Sequence, residues 1–413
     1  MEIRLAFVSV LLLSAMLVFV PGIAKLMTRQ TVTPVLFALF TVSRLFGWLG
    51  SHVLIAGLVQ NSDLMLYYVD ETSRAYSGDV PYLDYPSSYG PLFPYIAGIF
   101  LPFWDSPAAI ALTVTLVEIS AVAWFTSNIL RSEQTDSYST NLFLYIYTVQ
   151  PAALYWSGMM AYNSTFILIF WVGAVLLLSH SRYLASLMAL GFSLLASKFL
   201  SILVAPLALA HPDRRIKPVV FAGSFFLALL AICGLVGMDL LTPLKIEGGR
   251  STSGNFWFFL GSWLPSGAEG HFWRFAPPLV MLTGISVFAF CCFRAWHDRP
   301  TLLQLCAAFS AVGWIFVLLS KKTLPHYVPM FLLFTVYAFC VAFGRRWTWI
   351  AVLMAMGGIG ILEPGIWNGL GQPVFFSAVP FSTQSSLLLA LDVFLIASYT
   401  FCLIHSARLA VQR

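Results

Sequence analysis

Long apolar runs separated by short polar turns fill the 413-residue chain. Runs of about 17 to 25 apolar residues match the length a helix needs to cross the hydrocarbon core of a bilayer. They predict helices at 5–24, 33–59, 106–130, 141–157, 162–179, 219–238, 277–294, 302–319, 328–344, 348–362 and 386–406. The 184–209 run is too long for one span and is interrupted at Ser197-Lys198, so it reads as a broken pair. The expected fold is an all-α polytopic membrane protein: a single transmembrane domain over 1–413, with about 11–13 spanning helices. A transmembrane β-barrel is excluded, because its strands would alternate polar and apolar residues and these runs do not. The first 25 residues read as a spanning helix rather than a signal peptide, since the basic region is weak and no small-residue cleavage site follows.

Basic residues orient the bundle, because short cytoplasmic loops carry the Lys/Arg excess. With the HPDRRIKP loop at 211–218 inside, Lys25, Arg29, Arg131, Arg182, Arg294, Arg299, Arg345, Arg346 and Arg408 also fall inside. The loops 60–105 and 239–276, the KKTLPHY turn and the 363–385 loop then face the exterior. This arrangement requires 91–104 to dip into the membrane without crossing, shielded by protein. The net charge of +5 belongs to these loops. No clustered basic face with interleaved aromatics is present, so nucleic acid is not an expected partner; the lipid bilayer is. All six cysteines lie in apolar runs and read as small buried hydrophobes, with neither a disulfide framework nor a metal site indicated.

Charged residues make up only 9% of the chain, yet 61–104 holds Asp63, Asp70, Glu71, Asp79 and Asp84, five of the 17 acidic residues. Seven tyrosines share that loop, among them Tyr67, Tyr82 and Tyr89. Tyrosine beside carboxylate at a water interface suits sugar binding and proton transfer. If the loop starts helically, Asp63, Tyr67, Asp70, Glu71 and Arg74 share one face. Asp70, Glu71 and Arg74 read as the solvated side of an interfacial helix. Asp63, nearest the membrane, reads as a functional carboxylate, because a charge at the lip of a bundle is costly. Lys198 sits inside an apolar segment and needs a partner. Lys321, Lys322 and His326 lie outside against the positive-inside trend, which suggests anion binding. Arg250, in GGRSTSG, is a further candidate cation. The Asn163-Ser164-Thr165 sequon sits too near the bilayer to be read as a glycosylation site.

Three stretches together resemble a known family. SDLMLYY, then Gly78-Asp79-Val80-Pro81-Tyr82-Leu83-Asp84, then SYGPLFPY is similar to the first exterior loop of the glycosyltransferase-C superfamily. The branch resembled is the polyprenyl-phosphate-mannose-dependent one, which includes the glycolipid mannosyltransferases of actinobacteria and the catalytic subunit of GPI mannosyltransferase I. Asp63, Tyr67, Gly78, Pro81, Tyr82, Asp84, Tyr89, Pro91 and Leu92 fit its pattern. Gly90 and Ser88 depart from it, standing where the family usually has a proline and an acidic residue, and no Asp-x-Asp pair follows Asp63. Downstream, Ala196-Ser197-Lys198 through Pro206, Gly249-Arg250-Ser251 through Trp257, and SKKTLPHYVPMF resemble later parts of the family in the same order.

The resemblance implies an inverting glycosyltransferase that moves mannose or a related sugar from a polyprenyl-phosphate donor to a lipid-linked or membrane-presented acceptor on the exterior face. Such a transfer needs a base for the acceptor hydroxyl, for which Asp63 is the candidate, and cations for the leaving phosphate. His326 is the second candidate catalytic residue. Tyr67, Asp84, Tyr89, Lys198, Arg250, Lys321, Lys322 and Tyr327 are the candidate substrate-binding residues. No cofactor is called for, and metal dependence stays open because paired carboxylates are missing. A transporter or flippase for lipid-linked substrates would instead predict internal repeats, which are not evident, and a noncatalytic scaffold of the same fold would not need Asp63.

Overall fold

The computed structural model describes residues 2–55, 62–131, 135–212, 214, 216–248, 251–252, 254–261, 271–369, 375–376 and 386–412. In chain order the helices include α1 Glu2–Met16, α2 Val32–Trp48, α3 Val69–Tyr76, α4 Phe93–Ala97, α5 Pro107–Arg131, α6 Ser137–Val149 and α7 Ser164–Ser179. They continue as α8 Tyr183–Ala196, α9 Ala205–Ala210, α10 Ile216–Leu235, α11 His271–Ala295, α12 Leu302–Leu319, α13 Pro329–Phe343, α14 Trp347–Gly369 and α15 Ser386–Val411. Among the described residues the only strands are Ser251–Thr252 and Phe375–Phe376, paired antiparallel.

The protein is a multi-pass, all-helical membrane protein. Six helical stretches among the described residues are long and apolar enough to cross a bilayer: Val32–Leu54, Pro107–Arg131, Ile216–Leu235, Phe275–Ala295, Leu302–Leu319 and Leu389–Val411. A bent pair, Ala153–Met159 turning through 110° into Ser164–Ser179, is long and apolar enough when taken together, as a broken span or a re-entrant loop. Shorter apolar helices such as Pro329–Phe343 and Tyr183–Ala196 complete the bundle. Every residue of α13 from Pro329 to Cys340 is buried, so this helix forms the centre. On α10 the buried residue is Ala222, which leaves that helix at the periphery.

Local chemistry corrects one of the expected boundaries and bears out another. The run 141–157 is not one helix: α6 stops at Val149, because Pro151 forces Gln150 into extended backbone (ψ 120°). The Gln150 side chain then accepts from the Ala153 N–H at 2.9 Å and donates to the Leu353 carbonyl at 3.1 Å, satisfying groups the break exposes. The 184–209 run is interrupted where the sequence places the break. α8 ends at Ala196, Lys198 is extended (φ −129°, ψ 158°), and the 3-10 turn Phe199–Val204 leads into α9. Four cysteines are buried as expected, but Cys291 is exposed and Cys233 half-buried. The sequon residues Asn163, Ser164 and Thr165 are all buried, which removes them as a glycosylation site.

Among the described residues, one ion pair lies wholly inside the bundle. Arg44 of α2 reaches Glu118 of α5 at 3.2 Å, with both side chains fully buried. The remaining guanidinium N–H groups donate to the Thr148 and Tyr147 carbonyls, and the Tyr147 hydroxyl donates to Glu118.

Candidate active site

Asp63 opens a π-helical turn, Leu64–Tyr68, that runs into α3. Leu64, Tyr68, Glu71, Thr72 and Ala75 are buried, a stripe at helical spacing that fixes how this segment lies on the bundle. The Tyr68 hydroxyl accepts from the Asn163 N–H at 2.9 Å, and the Tyr68 ring packs edge-on against Tyr89 and Phe93 at 5.1 and 5.0 Å. The loop turns back through Tyr82, whose φ of +68° is left-handed and whose hydroxyl donates to the Tyr89 carbonyl.

Two backbone bonds then tie the loop to the broken helix. The Gly90 N–H donates to the Ser197 carbonyl at 2.6 Å, and the Leu92 N–H to that of Leu195 at 2.8 Å. A Cβ at position 90 would lie 2.3 Å from the Leu194 and Leu195 carbonyl oxygens. Only glycine permits this approach, so the departure from the family's proline at this position has a steric reason.

The docking brings Lys198 over the Tyr89 ring, with Nζ 4.8 Å from its centre. The Tyr89 hydroxyl donates in turn to Asp63 Oδ2 at 3.4 Å. On its other side Lys198 donates to the Tyr327 hydroxyl at 3.4 Å and lies 5.3 Å from that ring's centre. Tyr327 belongs to the 3-10 turn Pro325–Tyr327, which also carries the buried His326. His326 stacks on Tyr162 with ring centres 4.2 Å apart. Lys322 pairs with Glu247. The Lys321 carbonyl accepts from the Thr252 N–H at 3.0 Å and from Asn255 Nδ2 at 3.3 Å. Thr252 and Thr323 exchange two further bonds, of 2.8 and 2.9 Å. The segment around 252 is thereby fastened to the KKTLPHY turn.

Asp63, Tyr89, Lys198, Lys322, His326 and Tyr327 thus converge from parts of the chain more than 260 residues apart. Tyr67 and Asp84 do not join them. Tyr67 is 37% exposed. The Asp84 carboxylate accepts from the Val80 N–H at 2.7 Å and closes its own exposed turn. Lys321 meets the segment around 252 through its carbonyl. Arg250 lies outside the described residues.

Glu71 is the residue misjudged from sequence. It is not on a solvated face but only 6% exposed, and its Oε2 accepts from the Ser87 hydroxyl at 2.7 Å. Ser87 Oγ accepts from the Tyr89 N–H at 3.0 Å, so Glu71 supports the tyrosine that bridges Asp63 and Lys198. The sequence did hold a signal, since Glu71 is in helical phase with Leu64, Tyr68 and Ala75. Tyr68, Tyr162 and Asn163 were not among the expected site residues, because each borders an apolar run.

No family model and no curated protein matches the chain. Among solved structures the chain is similar to an archaeal oligosaccharyltransferase, AglB from Archaeoglobus fulgidus, in complex with an inhibitory peptide and a dolichol-phosphate. The identity is 11% and the TM-score 0.38; the match covers 90% of this chain and 56% of the length of that one.

Electrostatics set the protonation of the site residues. Burial, and then Lys198 and Lys322, hold the His326 imidazole well below its usual range, so it enters as a neutral hydrogen-bonding ring rather than a cation. Burial, and then Lys198, push the Lys322 ammonium down to about 7, with Asp63 opposing. Burial raises the Glu71 carboxyl to about 7, with Ser87 and Lys198 opposing. Burial, and then Asp63, raise the Tyr89 phenol, which stays a donor. Facing one another are a half-buried carboxylate, able to take a proton, and a set of amino and hydroxyl donors able to hold an anion.

Proposed function

We propose that the chain is an inverting, polyprenyl-phosphate-sugar-dependent glycosyltransferase, acting on a membrane-presented acceptor at the face expected to be exterior. The observation that carries this reading is that one tyrosine, Tyr89, holds Asp63 at its hydroxyl and Lys198 over its ring, with the Tyr327 hydroxyl bonded to Lys198. In one displacement, the acceptor oxygen attacks the anomeric carbon as the bond from that carbon to the phosphate oxygen breaks. Asp63 takes the acceptor proton, and the phosphate leaves with its electron pair. Negative charge then grows on the leaving group, where Lys198, Lys322 and the Tyr327 hydroxyl offer donors in an apolar surround that strengthens them. The aromatic ring of Tyr89 and the half-buried position of Asp63 suit a sugar bound between base and phosphate. Mannose is the donor sugar that the first-loop resemblance favours.

The test is transfer of radiolabel from polyprenyl-phosphate mannose to lipid in membranes carrying the full chain. Asp63→Asn keeps the shape of the side chain and removes the base, and transfer should fall on the order of 10³-fold. Full transfer by this variant at wild-type abundance would overturn the assignment.

A further inference from the structure

A second site lies at the other end of α8. That 14-residue helix is about 21 Å long at ~1.5 Å per residue, with the Lys198 cluster past its C-terminus. Beside its N-terminus opens a groove of about 830 Å³. One wall is α8, through Tyr183, Met188 and Phe192; Pro218 at the foot of α10 and Arg299 from the turn before α12 complete it. The groove exists because α10 meets α8 higher up: the Phe226 ring lies over Gly191, where a Cβ would come within 1.9 Å, and Phe192 packs on Phe226 at 5.7 Å. Below that crossing the two helices leave a lateral opening with apolar walls.

The mouth of the groove is cationic. Arg182 and Arg299 line it and are exposed, and Arg214, held over the Phe293 ring at 4.4 Å, carries a third guanidinium near Tyr183. Tyr183 is only 5% exposed, yet its hydroxyl has no hydrogen-bond partner among the described residues. A buried hydroxyl left unmatched is costly and calls for a polar group from outside the protein. Apolar walls, exposed guanidiniums lining them and an unmatched hydroxyl beside them fit one kind of ligand.

We propose that this groove is a binding site for an anionic glycerophospholipid, its phosphodiester held by Arg182, Arg299 and the Tyr183 hydroxyl and one acyl chain lying along Met188 and Phe192. The site uses none of the residues of the Asp63–Lys198 cluster and holds whether or not that cluster transfers sugar.

The test is native mass spectrometry of the full chain, delipidated in detergent and then offered phosphatidylglycerol or phosphatidylcholine at equal concentration. At least a tenfold preference for retaining one phosphatidylglycerol is expected. In the double variant Arg182→Gln/Arg299→Gln, retention should drop to the phosphatidylcholine level. Met188→Trp, which fills the apolar part and leaves the charges, should displace the lipid even if the double variant fails to fold. Equal retention of the two lipids by the wild type would overturn the proposal, as would an unchanged preference in the variants. Inorganic phosphate is the control for charge alone: if it raises the melting temperature as much as phosphatidylglycerol does, the acyl chain plays no part and the lipid site is refuted.

Discussion

Arg44–Glu118 and Lys198 both bury charge in this apolar bundle, and they do it differently. At Arg44–Glu118 the donors are matched: the guanidinium reaches the carboxylate and two carbonyls, the carboxylate also receives the Tyr147 hydroxyl, and both side chains are fully buried. At Lys198 an ammonium with three N–H donors has one hydrogen bond among the described residues, at 3.4 Å, and two aromatic faces. A saturated pair holds two helices together and has nothing left to offer a ligand. An under-matched cation near a half-buried carboxylate keeps donors unused by the described residues, which is what the proposed transfer requires.

That contrast makes opposite forecasts for the two sites. Arg44→Met leaves the Glu118 carboxylate buried without its cation, and should destabilise the protein by about 3–5 kcal/mol; thermal unfolding in detergent reads this, and Arg44→Met/Glu118→Leu should recover most of the loss. Lys198→Met should leave the unfolding midpoint unchanged or raise it, while sugar transfer falls on the order of 10²-fold. A large stability loss here would erase the distinction, making Lys198 another structural cation. Gly90→Ala tests how the loop is docked: with carbonyls 2.3 Å from the new Cβ, relief of the clash should cost about 1–3 kcal/mol. Because the docking positions Tyr89, transfer should weaken along with stability.

The smallest effect concerns pH. The Glu71 carboxyl rises from 4.5 to about 7 on folding, so between those values the folded state binds more protons than the unfolded one. Glu71 therefore favours folding fully below about 4.5, and that contribution is lost as pH rises through 7, by roughly 3 kcal/mol at most. Glu71→Gln should flatten the decline in unfolding free energy between pH 5 and pH 7, measured by denaturation at each pH. Lys322, pushed down to about 7, acts in the opposite sense and only above that pH, so its contribution separates cleanly. An unchanged slope in the Glu71 variant would place this carboxyl in water rather than beneath Tyr89.

The apolar runs alone determined that the chain is helical and crosses a membrane, because in hydrocarbon a helix satisfies every backbone group within its own segment. The same pattern marked the interruption at Ser197-Lys198, and the scarcity of charge singled out Asp63, Lys198 and the KKTLPHY turn. Tertiary structure decided the rest. Whether Asp63 and Lys198 reach the same tyrosine depends on Gly90 and Leu92 bonding to the end of α8, a contact between backbones that leaves no mark on hydrophobic periodicity. That Arg44 and Glu118 pair, that Glu71 is covered, and that Asp84 closes its own turn depend likewise on which elements pack together. Side-chain spacing along one helix records which face is apolar; it does not record what lies across from that face.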